Sequence, residues 1–289
     1  MSNLNNRIIL GTAQFGLEYG INNKNGKVPK NKIFEILDYA YSNGIYELDT
    51  ASSYGDSEII LGEYLLNNPN KEFIISTKIS KSNLALEDQV LKSIDHLNVK
   101  KINKLLFHSY DLYKYFENEL SRFYNKFKNI LFDEIGVSIY TNNEIKSILN
   151  DNIIKRIQSP YNLLDNYKLR GDIFKEVIKS NKKLDVRSVF LQGLFFKKIK
   201  NLPLKMYPLK KQLNEINKII TESNFDITSI SLGYVKSFDF IDKILIGIDS
   251  LEQLKINLKS FSNKIPRDLC EKISLLSVED NDLINPSKW

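Results

Sequence analysis

The feature that most restricts this chain is an alternation that runs almost from end to end. Short β-branched runs follow one another with longer amphipathic stretches between them. Eight segments read as strands: "RIILGTA", "IYELDTA", "EFIISTK", "INKLLFH", "DEIGVSI", "IIKRIQS", "KLDVRSVF" and "DKILIGI". Helical periodicity fills the intervals. In "NKIFEILDYAYSNG", Ile33, Ile36, Leu37 and Ala40 fall on one face and Gly44 marks the end. "SEIILGEYLLNN", "LEDQVLKSIDHLN" and residues 112–129 read the same way, and the long seventh interval holds both "LKKQLNEINKIITES" and "ITSISLGYVKSF".

Alternation of this kind requires a parallel sheet, because each helix is the crossover between neighbouring strands. Eight units is the count of a closed (β/α)8 TIM barrel, and 289 residues suit one such domain. A doubly wound open sheet would alternate too. It usually carries a G-x-G-x-x-G turn after a strand, and neither that turn nor a P-loop occurs here. No Pro/Gly/Ser linker interrupts the chain, so residues 1–289 are expected to form a single α/β domain. The segment from Ile265 to Trp289 extends past the eighth helix and is expected to pack over one end of the barrel.

Composition narrows the partners. Lysine and arginine exceed aspartate and glutamate by 41 − 35 = 6, spread along the chain without a basic block, which reads as a solvated surface and not a nucleic-acid footprint. One cysteine, Cys270, rules out a disulfide framework and a cysteine-rich metal site. The start, "MSNLNNRIILGTAQFG", lacks the charged and apolar regions of a signal peptide, and no apolar run approaches the ~20 residues of a membrane helix. A cytoplasmic protein, with no membrane partner, is the expectation. No feature of the sequence specifies an oligomeric state.

In a barrel of this type the chemistry lies at the C-terminal ends of the strands. Strand two ends in Asp49, strand three in Lys78 and strand four in His108, with Tyr54 in the loop after strand two. Singly, each has an ordinary reading: Asp49 as a turn cap, Lys78 and Tyr54 as rim residues, His108 as a hydrogen-bonded structural histidine. His96 and His108 are the only histidines, too few for a histidine metal cluster. Together, four groups suited to proton transfer fall on one rim, and Asp49 is expected to be the counter-ion of Lys78.

With those residues in place, the sequence resembles the aldo-keto reductases. "GTAQFG", "LDTASSYGDSEIILG", "ISTK", "LLFHS", "GVS", "QSPYNLLD" and "IGIDSLEQLKIN" occur in that family's order and spacing, from about Arg7 to Asn257. The resemblance implies an oxidoreductase in which NADPH or NADH lies across the barrel mouth and reduces a small-molecule aldehyde or ketone. It makes Tyr54 the general acid. A free phenol, with a pKa of ~10, matches neutral pH poorly, and an adjacent ammonium such as Lys78 favours its ionised form. Asp49 then holds Lys78, and His108 orients the carbonyl oxygen.

The same resemblance assigns cofactor contacts. Gly11, Thr12 and Ala13 lie beneath the nicotinamide, while Ser138 and Gln158 are suited to its carboxamide. Ser188, Phe190 and Gln192 follow the pyrophosphate, and Gly247 to Asn257, with Asp249 and Gln253, hold the adenosine end near a helix N-terminus. Three features depart from the family pattern. Ile139 stands where many relatives have asparagine, removing one carboxamide hydrogen bond. Arg187 replaces a stacking aromatic; it either stacks, binds an anion of substrate or cofactor, or forms an ordinary salt bridge with a rim carboxylate. Asp249 and Gln253 stand where NADPH-preferring relatives often carry a basic residue, with Lys255 a candidate compensating charge.

Phe15, Tyr19 and Trp289 are candidates for the mouth. "RSVFLQG" and "GIDSLEQL" are similar to a bacterial branch associated with sugar and surface-polysaccharide metabolism, implying a sugar-type carbonyl. A competing reading is a cofactor-binding redox-sensing protein resembling potassium-channel β subunits, which would cycle very slowly. A metal-dependent lyase or epimerase would want several converging carboxylates or histidines, and the rim offers too few.

Overall fold

Eight strands form in the predicted order. The computed structural model describes residues 4–23 and 26–289. The strands are β1 (Ile8–Gly11), β2 (Glu47–Asp49), β3 (Ile74–Ile79), β4 (Ile102–Phe107), β5 (Phe132–Ser138), β6 (Ile154–Pro160), β7 (Lys183–Arg187) and β8 (Lys243–Gly247). All neighbours pair in parallel, and β8 returns to β1 to close the barrel. The fold is a (β/α)8 barrel.

Among the described residues, eleven α-helical segments surround it: a single turn α1 (Ala13–Gly16), then α2 (Lys30–Ser42), α3 (Ser57–Asn67), α4 (Leu86–Leu97), α5 (Tyr110–Phe127), α6 (Asn142–Ile148), α7 (Tyr167–Lys179), α8 (Lys210–Ser223), α9 (Ile227–Lys236), α10 (Leu251–Ser262) and α11 (Arg267–Leu275). Helix α5 begins two residues before the predicted 112–129, because Ser109 Oγ accepts from Leu112 N and caps it there. In α2 the buried side chains are Ile33, Ile36, Leu37 and Ala40, the predicted face. No described helix is long and apolar enough to cross a membrane.

Strand alternation sorts the residues into two environments. Ile8, Leu10, Leu48, Ile75, Leu105, Val137, Ile157, Val186 and Ile244 belong to the continuous apolar core between sheet and helices. Their alternates face the barrel interior, and many are charged. Glu47 of β2 pairs with Lys104 of β4 and, at 2.7 Å, with Lys243 of β8. None of these strands are neighbours in the sheet, so the pairs pass through the barrel. Arg156 of β6 meets Asp185 at 2.6 Å, Asp242 at 2.9 Å and Glu134 at 3.2 Å. Burial pushes the Asp185 carboxyl up to about 6, against the pull of Arg156 and Lys104. These groups form the floor of the barrel, at the strands' N-terminal side of Asp49, Lys78, Gln158 and Arg187.

The segment after α10 departs in part from expectation. Helix α11 packs on the barrel's flank against α7 and α8, where Asn166 Nδ2 donates to Ile273 O and Leu276 O, both at 2.9 Å. Only the final residues reach the mouth, where Pro286 and Ser287 line a cavity.

Candidate active site

The mouth is built by close backbone contact between two loops. Gly16 ends the turn after β1 and Gly55 follows Tyr54 in the turn after β2; a Cβ at Gly16 would overlap Tyr54 O, and one at Gly55 would overlap Gly16 O. Gly55 also has φ +56°, in the left-handed region. The two motif glycines thus fix the loop that carries Tyr54. Beneath it, Thr12 N and Thr12 Oγ1 donate to Asp49 O at 3.0 and 3.1 Å, and Ser57 Oγ donates to Thr12 Oγ1 at 2.9 Å.

Asp49 and Lys78 form an ion pair, with both side chains 2 % exposed. Lys78 Nζ also donates to Thr50 O at 3.0 Å. Burial opposes the lysine's charge, but Asp49 and Tyr54 together outweigh it and raise the ammonium above its ordinary range. The second carboxylate oxygen accepts from Gln158 Nε2 at 2.9 Å, across the barrel from β6. Lys78 is therefore charged and fixed in direction.

Above the pair lies Tyr54. Lys78 Nζ is 5.1 Å from the centroid of its ring, and the ring meets His108 edge-on at 5.5 Å. His108 Nδ1 lies 3.1 Å from Ser53 Oγ and 3.2 Å from Ser80 Oγ, which leaves Nε2 for a group in the cavity. Burial, reinforced by the positive charges of Lys78 and Arg187, drives the imidazole down to about 3. It is neutral at any physiological pH.

The cavity measures about 680 Å³. Asp49, Tyr54, Lys78 and His108 all line it, as does every candidate cofactor contact from Gly11 round to Asn257. Among the described residues, Gln158 Oε1 is buried without a hydrogen-bond partner while its amide nitrogen is held by Asp49. An acceptor left open in this way suits a carboxamide N–H, so the residues fit a nicotinamide group. The loops after β1 and β7 meet beside it: Ile21 N donates to Gln192 O at 3.2 Å, Gln192 Nε2 to Tyr19 OH at 2.9 Å, and Asn22 Nδ2 to Gly193 O. Ser188, Leu191 and Gln192 take left-handed φ values to make that turn.

Several finer expectations change. Among the described residues Arg187 forms no salt bridge: its guanidinium stacks 4.2 Å from the centroid of Tyr140 and donates to Ser188 Oγ at 3.2 Å and Ile139 O at 3.4 Å. Lys255 lies over the Tyr39 ring and offers no compensation to Asp249. Asp249 instead engages Gln253, its N–H donating to Oε1 at 2.9 Å and its carboxylate accepting from Nε2 at 3.2 Å. Phe15 is wholly buried in the core, and Trp289 ties its indole N–H to Leu283 O at 3.2 Å; of the three mouth candidates only Tyr19 lines the cavity. Tyr140, Asn22 and Phe196 also line it and are not among the sequence candidates, although Tyr140's place two residues after Ser138, at a strand end, is a usable signal.

Comparison with known proteins agrees with the barrel fold. The model of the aldo/keto reductase family matches residues 7–276. D-arabinose 1-dehydrogenase of Saccharomyces cerevisiae is 24% identical over 259 residues, 78% of this chain and 76% of the relative. The uncharacterized oxidoreductase YqkF of Bacillus subtilis is 23% identical over 278 residues, 87% and 89% of the two chains. Among solved structures, the holo form of the aldo-keto reductase AKR11C1 from Bacillus halodurans superposes with a TM-score of 0.70 at 18% identity, covering 95% of this chain and 93% of that one. With family motif, barrel and cavity in agreement, the chain belongs to the aldo/keto reductase family of NAD(P)H-dependent oxidoreductases.

Proposed function

We propose that this chain, acting as one barrel domain, reduces a sugar-type aldehyde or ketone with Tyr54 as the general acid. The observation that carries the reading is the group around that tyrosine: a buried, charged Lys78 held by Asp49, 5.1 Å from the centroid of the phenol ring, with neutral His108 edge-on to the ring. A bound nicotinamide cofactor supplies the hydride. The chain's own residues do the rest. Tyr54 gives its hydroxyl proton to the carbonyl oxygen as that oxygen gains charge. Lys78 stabilises the negative charge left on the tyrosine oxygen, in a site where the low dielectric strengthens the effect. With a serine hydroxyl donating to Nδ1, His108 carries its proton on Nε2 and orients the carbonyl. Ser138 and Gln158 would hold the carboxamide, and the Gly247–Asn257 segment the adenosine end.

NADH is the preferred cofactor in this reading. Asp249 would repel a 2′-phosphate and suits a ribose hydroxyl, and Lys255 is turned to Tyr39. The sugar assignment draws on the yeast relative's name and on the polar mouth formed by Tyr19, Asn22 and Gln192. The test is a titration of the purified protein with NADH and NADPH, followed by the reduced cofactor's fluorescence, then turnover with a panel of carbonyl sugars. Binding of NADH with measurable turnover supports the reading. Binding of neither cofactor defeats it, and tight binding without turnover would favour the redox-sensing alternative.

A further inference from the structure

We propose that Arg187 makes this site selective for carbonyl substrates carrying an anionic group, a carboxylate or a phosphate. The inference rests on the reductase reading and names its substrate class.

Among the described residues the charged side chains of the cavity are Asp49, Lys78, Arg187 and Asp249, and Asp249, engaged with Gln253, does not pair with Arg187. Asp49 and Lys78 cancel as an ion pair, and His108 is neutral. Arg187 lines the same cavity, half-buried, and among the described residues no carboxylate pairs with it. An unpaired guanidinium removed in part from water is costly unless a ligand supplies the counter-charge. The Tyr140 ring, 4.2 Å from the guanidinium carbon, restrains the fork, and a guanidinium fork suits two-point binding of a carboxylate or phosphate.

Its direction takes it away from the adenosine end of the cofactor. From the end of β7 the side chain leans past β6 to the end of β5, touching Ile139 O and Tyr140. That is the side of His108 on β4. The proposed adenosine end lies the other way, beyond β8, where Asp249 is engaged with Gln253. The adjoining wall adds no opposing charge. Phe190, Gln192, Gly193 and Phe196 line the cavity from a stretch with no acidic residue between Asp185 and Glu215. Such a wall does not repel an anion at the mouth.

The assay compares matched pairs: 4-oxobutanoate with butanal, and glyceraldehyde 3-phosphate with glyceraldehyde. In at least one pair the charged member is expected to have a kcat/KM roughly tenfold or more above its neutral partner, mainly through KM. The pair that responds distinguishes carboxylate from phosphate. Arg187→Gln should collapse that ratio and Arg187→Lys should retain part of it. No preference in either pair, or a preference that Arg187→Gln leaves intact, overturns the proposal. So does a loss of NADH affinity in Arg187→Gln as large as the loss for the charged substrate, which would assign the group to the cofactor. Calorimetry of the cofactor-free protein with succinate and with inorganic phosphate gives an independent readout. Binding lost in Arg187→Gln supports the anion site even if no nicotinamide binds, in which case the reductase reading alone fails. Turnover of the neutral aldehydes without charge preference leaves the reductase standing and removes the anion site.

Discussion

The two ends of the barrel carry the same kind of chemistry and differ in what they leave open. Glu47 and Asp49 stand two residues apart on β2, both inward, both buried and both paired with lysine. At the floor, charges are satisfied several times over: Arg156 alone meets three carboxylates, and Glu47 serves Lys104 and Lys243. At the mouth, three groups keep unused capacity among the described residues. Gln158 Oε1 has no partner, His108 has Nε2 to offer, and Arg187 has no carboxylate. Buried charge by itself marks structure as readily as function. Unused hydrogen-bonding capacity, in side chains that line a cavity, separates the mouth from the floor.

The comparison breaks most directly at Tyr54. Tyr54→Phe is expected to lower kcat by about two to four orders of magnitude while the cofactor affinity stays near wild type, because only the transferable proton is removed. Single-turnover kinetics alongside a fluorescence titration checks both halves, and full activity would remove Tyr54 as the acid. The floor should respond in the opposite manner. Arg156→Met leaves Asp185, Asp242 and Glu134 without their shared cation, so stability should fall by about 3–5 kcal/mol. Turnover per folded molecule should change little. Urea denaturation with activity normalised to the folded fraction tests this, and a large kcat loss would show that the floor takes part in the reaction.

A smaller effect is expected at the rim. Asp249→Ser should shift the NADPH-to-NADH preference about tenfold toward NADPH by removing a repelling charge. Unchanged ratios would mean that Asp249 does not face the ribose. The subtlest effect concerns pH. His108 is lowered to about 3 in the fold and sits at the ordinary ~6.5 in the unfolded chain, so between those values the unfolded chain binds the extra proton. The associated stability is present above about pH 6.5 and is lost as pH falls toward 3. His108→Gln should flatten the acid side of a Tm-against-pH curve. The wild-type pH–rate profile should show no imidazole step near neutrality, and such a step would put a chargeable histidine back in the mechanism.

Much of the fold and of the rim is legible in the linear sequence. Strand-ending polar residues are readable because a TIM barrel places every strand's C-terminal end on one rim, so Asp49, Lys78 and His108 need only correct strand boundaries. The lysine–aspartate pair follows from opposite charges on adjacent strands. Arg187, Lys255 and Trp289 are less tractable. Whether Arg187 finds a carboxylate or a tyrosine depends on which rim side chains come within reach across two strands. Lys255 is diverted by an aromatic ring on α2, far away in sequence.

The sequence by itself determined the period of eight strand–helix units, the apolar faces that close them and the order of polar groups round the rim. Those are local properties of the chain, set by side-chain alternation, helical spacing and motif glycines. The tertiary structure alone decided which buried charges are mutually satisfied and which remain open. Gln158 reaches Asp49 from the opposite side of the barrel, and Arg156 gathers three carboxylates from β5, β7 and the turn before β8. Electrostatic pairing depends on distance through space, and barrel closure brings together groups that the linear chain keeps far apart.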